Sequence, residues 1–408
     1  MTNKNNHTHK KLSIHIIGDA FVDFLCFPDT LPVFASDVRL QKPVTRRAGG
    51  SALNTTTHLQ SLVHDFGGMN NGNLDGLHPT IQLHTCFNPS DEYGQILLHH
   101  AEQYQFKMIN CFVQEDQKTS PSSLSTSSPY DSQLSTGHCL VITTQGDRSF
   151  LTYLGVLAQF KASDLNLNHF IPQNDHHHHH SHLHIAGYYN IQGFWNGALK
   201  TQLQWIRQQR HAHTMCSTTI SLVPQADATN QYDGQLLDLL PLLDVLIMNE
   251  METEHITGIA LRKEQDHNHH HPRNLVDKSD TDIAQFFYRK NPQLYVIITL
   301  GSMGALVIQN GYVIDYRAPP LSFTNPIDPT GAGDAFVAGL LYGSIILNEG
   351  ETVDSSSSIQ TTTRNPPFFT RDKICHGLHW GCVLGTSCTM RQGASLPATK
   401  QELLDLMQ

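Results

Sequence analysis

The chain lacks the features that would place it outside a reducing compartment, in a bilayer or on a nucleic acid. Its eight cysteines, at positions 26, 86, 111, 139, 216, 375, 382 and 388, are scattered and include no Cys-x-x-Cys pair. Most have apolar neighbours, so they read as buried free thiols rather than a disulfide framework. No apolar run reaches the ~18 residues that span a bilayer. The first eleven residues, Met1 to Lys11, are polar and carry no apolar secretory segment, so the expectation is a cytoplasmic protein that does not engage a membrane. Positive charge is scarce: 26 Lys and Arg stand against 36 Asp and Glu, a net −10 with histidine neutral. That excludes a basic footprint for nucleic acid. The Gly-x-x-x-x-Gly-Lys-Ser/Thr loop of P-loop enzymes is missing, and no internal repeat is visible.

Hydrophobic residues make up only 39%. Four polar stretches, about 115–135, 172–181, 262–280 and 351–367, are rich in Ser, Thr, His and Asn and read as inserts between structural elements. The histidine runs inside them, His176 to His180 and His267 with His269 to His271, lack the rigid framework a built metal site needs and read as low complexity.

Between the inserts, short apolar runs alternate with helical patterns. Strands are expected at Leu12–Ile17, Ile81–Cys86, His182–Ala186, Thr218–Val223, Val245–Met248 and Val296–Leu300. Helices are expected at 55–63, 92–105, 194–209, 233–243, 281–289 and 375–390. Such alternation argues for a parallel sheet with helices on both faces. Residues 138–154 read as a β-hairpin around Gln145-Gly146-Asp147, and Arg148 reads as decoration of that hairpin rather than a substrate contact.

One segment speaks to chemistry. Residues 328–340 read Asp-Pro-Thr-Gly-Ala-Gly-Asp-Ala-Phe-Val-Ala-Gly-Leu. Small residues Gly331, Ala332 and Gly333 lead into a helix, where unpaired N–H groups and the helix dipole make a seat for phosphate. Asp334, directly after them, is placed to take a proton from an attacking hydroxyl. A lone Gly-x-Gly would be an ordinary turn; the whole string asks for more.

This string resembles the second signature of the ribokinase-like (PfkB) sugar and nucleoside kinases. Arg47-Ala48-Gly49-Gly50-Ser51-Ala52-Leu53-Asn54 is similar to the family's first signature. The resemblance implies a three-layer α/β/α fold with a mainly parallel sheet and a small β-sheet lid, drawn from about 24–46 and 108–156. It spans residues 12–400, leaving 1–11 as a polar tail and 401–408 as a C-terminal tail.

It also implies roles. Asp334 would be the catalytic base and the amides of Gly331, Ala332 and Gly333 the anion hole. Asp23, Gly49, Gly50 and Asn54 would hold the sugar. Asn249, Thr299, Gly301, Ser302 and Gly304 would serve ATP, and Glu252 would organise Mg²⁺ through water, although Asn249 and Glu252 also suit plain helix capping. In members that use K⁺, the ion would fall to Asp328, Thr330, Arg391, Gly393 and Ser395. Two departures stand out. Cys382 occupies the place where some relatives bring an Asn to the nucleotide, and Val223-Pro224-Gln225-Ala226-Asp227 lacks an Asp straight after the strand.

The implied activity is ATP-dependent phosphorylation of a sugar hydroxyl, with ribose first, a hexose such as fructose second and a nucleoside third. The partner is a small molecule, and the chain is a monomer or a lid-paired homodimer. The rivals are a non-catalytic sensor on the same fold, which would lack the base, and a dinucleotide-dependent oxidoreductase. The second fails because the glycines come late and no acidic ribose anchor follows at the expected ~20 residues.

Overall fold

Apolar residues on neighbouring strands fall on alternate faces, and that alternation builds two cores. In the computed structural model, which describes residues 11–67, 79–112, 134–144, 147–171, 179–212, 216–261, 278–320, 326–347 and 369–407, the elements run in this order. They are β1 (Lys11–Gly18), β2 (Phe21–Cys26), β3 (Thr45–Gly49), α1 (Ser51–Phe66), β4 (Thr80–Thr85), α2 (Glu92–Gln103), β5 (Lys107–Asn110), β6 (His138–Thr144) and β7 (Asp147–Tyr153). Then come β8 (His179–Ala186), α3 (Ala198–Ala212), β9 (Cys216–Val223), β10 (Val245–Asn249), α4 (Glu250–Thr257), α5 (Lys278–Lys290) and β11 (Tyr295–Thr299). The chain closes with β12 (Ala305–Gln309), β13 (Tyr312–Arg317), α6 (Ala332–Leu341), α7 (Arg371–Thr389) and α8 (Lys400–Leu406).

Nine strands form the main sheet in the order β13-β12-β11-β10-β9-β8-β1-β4-β5. From β11 to β5 every neighbouring pair is parallel, and β12 and β13 add an antiparallel edge. On β11, Ile297 joins the core under α1, α6 and α7, while Val296 and Ile298 join the core under α3 and α5. Period-two burial on both faces is what a parallel sheet between two helical layers requires. A second sheet, β3-β2-β6-β7, stands apart as the lid; β2 pairs antiparallel with β3 and parallel with β6.

The expected strands and most expected helices are present, with shifted ends. The helix expected at 233–243 is instead two short 3-10 turns, Leu236–Asp238 and Leu240–Leu242. Gln235 has φ 59° and Pro241 opens the second turn, and neither suits a continuous helix. The expected C-terminal tail is α8, capped by Thr399 and Glu402, with Leu403 and Leu406 buried. The Thr-x-x-Glu start was visible in the sequence.

Two expected inserts run into regular structure. The 172–181 stretch ends inside β8 and the 262–280 stretch inside α5; residues 172–178 and 262–277, like most of the other two inserts and residues 1–10, lie outside the described residues. On β8, His180, His182 and His184 are buried opposite Ser217, Thr219 and Ser221 of β9 and hydrogen-bond to that row of hydroxyls. A polar-looking segment is strand because its neighbour supplies the partners.

Candidate active site

The carboxyl ends of the parallel strands open into a cleft of about 880 Å³, within the range of small-molecule sites. The segment after β1 brings Asp19 to its floor, and β2 brings Asp23. Asp23 lies against Gly49: a Cβ there would stand 2.0 Å from Asp23 Oδ2. Glycine is therefore required for this carboxylate to occupy its place. Asp19 accepts from the Ala52 amide (3.3 Å) and from Asn190 Nδ2 (3.1 Å), and the same Asn190 amide group donates to Gln225 Oε1 (2.7 Å). Gln225 holds this position at φ 62°, an uncommon conformation for a residue with a side chain.

Asp334 sits in the first turn of α6, behind Gly331, whose φ of 78° forms the helix N-cap. Ser51 Oγ donates to its Oδ1 (2.7 Å) and Asn54 Nδ2 to its Oδ2 (2.8 Å). The two signatures, far apart in sequence, thus meet at one carboxylate. Asn54 Oδ1 is buried and has no protein hydrogen-bond partner, which suits a ligand hydroxyl as donor.

Four carboxylates share this space. Burial raises Asp334 to about 7, against the bonds from Asn54 and Ser51 that favour its ionised form. Burial, then the charges of Asp19 and Asp334, raise Asp23 to about 7. Burial raises Asp19, and it raises Glu252 to about 7 against the Asn249 amide. Asp334 keeps some access to water in the cleft, which moderates the shift without changing its direction.

The expected anion hole is corrected in one member. Gly331 and Gly333 line the cleft, but the Ala332 amide donates to the Pro329 carbonyl (3.2 Å) and Ala332 does not line it. At the other end, Asn249 caps α4: Glu252 N donates to its Oδ1 (2.8 Å), and Glu252 Oε2 accepts from Asn249 N (3.0 Å). Both residues and Thr299 line the cleft. Gly301 and Ser302 form an exposed 3-10 turn just past β11 and, with Gly304, stand outside the lining. Cys382 is buried, its Sγ near the Arg317 carbonyl (3.6 Å), away from the lining.

The residues expected around K⁺ converge only in part. Asp328 Oδ1 accepts from Thr330 N (2.9 Å) and Oγ1 (2.6 Å), and its Oδ2 from Gly393 N (3.2 Å). Arg391 turns to Glu402 (2.7 Å), and Ser395 Oγ donates to the Ala48 carbonyl (2.7 Å). The carbonyls of Gln392 and Ala394 bond to Arg47 and His58. Asp328 thus ties Thr330 to the loop at Gly393, the two segments expected around K⁺. For Mg²⁺ the donor set is a single carboxylate, Glu252. No group of three or more His, Cys, Asp or Glu able to hold a metal is found among the described residues. One carboxylate fits an ion that keeps its waters and binds largely through substrate phosphates.

With this geometry in view, comparison with known proteins is decisive. The family model for "pfkB family carbohydrate kinase" matches residues 114–354. The chain belongs to the pfkB family. Fructokinase-1 of Zea mays is 27% identical over 177 residues, covering 43% of this chain and 42% of that protein. An adenosine kinase of Schizophyllum commune is 25% identical over 224 residues, covering 54% and 59%. The aligned stretches thus span about half the length of these curated pfkB relatives. Ribokinase from Giardia lamblia superposes with TM-score 0.67 at 17% identity, covering 97% of this chain and 99% of that one. A Vibrio cholerae fructokinase, solved with fructose, ADP and potassium, superposes with TM-score 0.58 at 18% identity, covering 97% and 98%. At these identities the structures establish the ribokinase-like fold.

Beyond the pfkB signatures, the cleft recruits residues that sequence reading missed. Asn190 and Gln225 follow strand ends, the rule by which they were findable, but no motif marks them. Ser51 lay inside the first signature without an assigned role. Arg148 lines the cleft together with Phe150 and Thr152, correcting its reading as hairpin decoration. No helix among the described residues is long and apolar enough to cross a membrane.

Proposed function

We propose that this chain is an ATP-dependent sugar kinase. The observation that carries the reading is Asp334: it is bonded to Ser51 and Asn54 and opens into the same cleft as Asp19, Asp23 and the start of α6. The acceptor sugar lies over Asp19, Asp23, Gly49-Gly50 and Asn54. Its hydroxyl oxygen attacks the γ-phosphorus of ATP while Asp334 takes the hydroxyl proton. A new O–P bond forms, and the bond between the γ-phosphorus and the bridging oxygen breaks, releasing ADP. Gly331 and Gly333 border the charge that develops on the phosphoryl. Asn249 and Thr299 face the nucleotide, with Gly301, Ser302 and Gly304 beyond them. Mg²⁺, when bound through water by Glu252, supplies positive charge against the phosphates. No step is assigned to K⁺. Closure of the lid over the acceptor excludes water and so limits ATP hydrolysis.

Ribose is the first acceptor to test, and a hexose such as fructose the second. A nucleoside stands third, supported by Phe150, which is 51% exposed and lines the cleft where a base would stack. The assembly proposed is a monomer or a homodimer paired through lids. Leu140 and Leu151, neighbours across β6 and β7, are 37% and 59% exposed and favour pairing. The buried free thiols suit the cytoplasm.

ADP release measured with and without each acceptor tests the reading. Sugar-stimulated release is expected. Acceptor binding without any ADP release would make the protein a sensor and end the kinase reading.

A further inference from the structure

Three neighbouring strands, β1, β8 and β9, end beside the cleft, and the segments after them supply Asp19, Asn190 and Gln225. The hydrogen bonds among these residues fix which way two amides point. Burial raises Asp19, but the backbone amides of Ala52, Asp19 and Ser51 favour its ionised form. An ionised carboxylate only accepts, so the Asn190 group 3.1 Å from Asp19 Oδ2 is the NH2 end of that amide. The same NH2 stands 2.7 Å from the Gln225 side chain and only donates, so the atom it meets is Gln225 Oε1. Gln225 Nε2 is left over. Among the described residues Asn190 is the one hydrogen-bond partner of the Gln225 side chain, and Gln225 lines the cleft. Gly187, at φ 73°, makes room for the group: a Cβ there would stand 3.1 Å from Asp19 Oδ1 and Gln225 Oε1 and 3.3 Å from Asn190 Nδ2.

The backbone that carries Gln225 is held against its preference. Gln225 has φ 62°, and Asn230, Tyr232 and Gln235 in the same segment have φ 59°, 50° and 59°. Such conformations persist where the surroundings over-determine them. Here the buried Asp227 accepts from Thr229 N (2.9 Å) and Oγ1 (2.8 Å), from Gln231 N (3.2 Å) and from Tyr232 N (2.8 Å). Tyr189 donates its amide to the Pro224 carbonyl (3.0 Å) and its hydroxyl to the Tyr232 carbonyl (3.0 Å), and the Tyr188 hydroxyl donates to the Gly234 carbonyl (2.6 Å). The His255 ring of α4 stacks on Tyr232 with centroids 4.5 Å apart. A donor on so constrained a segment is aimed before any ligand arrives.

We propose that Gln225 is a specificity-determining residue for the acceptor, its Nε2 donating to the oxygen of one hydroxyl whose own hydrogen goes to Asp19. A hydroxyl gives and takes at once. A methylene in its place would leave both the carboxylate and the amide facing nothing, which is costly in a desolvated site. Asp19 and Gln225 together therefore read a hydroxyl at one carbon of the acceptor and reject the compound deoxygenated there. The inference rests on the kinase reading only for placing the acceptor over Asp19.

The test uses ribose, fructose and adenosine, each with its singly deoxygenated analogues. For the full chain, Gln225→Glu and Gln225→Leu, it measures kcat/KM and, by calorimetry without ATP, the acceptor Kd. Gln225→Glu keeps an oxygen for Asn190 and loses the donor; Gln225→Leu loses both. Melting temperatures check each fold. In wild type, one deoxy analogue of the preferred acceptor should be about tenfold or more weaker than its parent. In the variants the parent should lose about tenfold, the scale of one hydrogen bond between uncharged groups. That analogue should change little, so the preference narrows, and the KM for ATP should stay near wild type. Equal losses for parent and analogue, or an unaltered preference in a folded variant, overturn the inference and leave Gln225 as a support for Asn190. A wild type indifferent to every deoxygenation overturns it too. Because calorimetry reads the acceptor without transfer, a narrowed preference in a chain that releases no ADP upholds the inference and overturns the kinase reading alone. A wild type that neither binds nor phosphorylates any acceptor overturns both.

Discussion

Asn54 Nδ2 donates to Asp334 Oδ2 at 2.8 Å, although the two residues are 280 positions apart. Each belongs to a different signature, and their bond makes those signatures one site. Replacing Asp334 by Asn removes the proposed base while nearly preserving shape. The kcat should fall by about 10²- to 10⁴-fold, the usual range for a positioned acid or base. ATP binding, followed by calorimetry, should be largely unchanged. Near-normal phosphorylation would refute the assignment.

Burial raises Asp334 to about 7, and the base is useful only when ionised. The kcat/KM should therefore rise with pH and level off above about 7, approaching tenfold per unit on its acid side. A rate flat from pH 5.5 to 8 would contradict a base held this high.

Gly49 and Asp23 cannot both keep their places if residue 49 carries a side chain, since its Cβ would lie 2.0 Å from Oδ2. Gly49→Ala should raise the acceptor KM at least tenfold. ATP affinity, set at the far end of the cleft, should move little. Equal losses of sugar and nucleotide binding would place Gly49 in general packing instead.

Glu252 both caps α4 and faces the cleft. Glu252→Gln should raise the Mg²⁺ concentration for half-maximal rate several-fold. It should also cost about 1 kcal/mol of stability from the altered cap. An unchanged Mg²⁺ titration would leave Glu252 as a capping residue only.

The buried histidines make a claim about acid. Burial lowers His58 and His100 to about 4, His184 to about 3, His84 to about 2, and His182 well below its ordinary value. Unfolded histidine binds a proton near 6.5, so below that pH the unfolded state holds up to five more protons on these rings. Asp23, Glu252 and Asp334, raised to about 7, act oppositely, because their folded forms hold protons that the unfolded chain has lost. Asp19 is raised as well. The difference is one or two protons in favour of the unfolded state between pH 4.5 and 6. Stability should therefore fall by about 2 kcal/mol per pH unit on acidification in that window. Urea midpoints at pH 6 and 5 measure this, and a midpoint rising toward acid would refute it.

Much of this was legible from residues alone. The parallel sheet was visible because fully buried strands such as Val245–Asn249 are short apolar runs, and the alternation of strand with helix leaves few topologies. The carboxylate proposed as base was visible because an acid one turn into a glycine-led helix is a local pattern. What stayed hidden was non-local. The histidine run His176 to His180 looked like low complexity, yet it ends in β8, where Ser217 stands opposite His180. Asn190 and Gln225 carry no motif; their place comes from the strand ends that bring them to Asp19. The loop expected around K⁺ is likewise held from afar, by Arg47, His58 and Ala48, which bond to the Gln392 and Ala394 carbonyls and the Ser395 hydroxyl.

The amino-acid order by itself determined the period of each element, the glycines where backbone must come close, and the acid at the head of α6. Those depend on neighbours within a few residues. Tertiary structure alone decided which side chains share the cleft and which carboxylates are raised by one another's charge. Charge and hydrogen bonding act over a few ångströms of space, and only folding sets which distant residues come within that range.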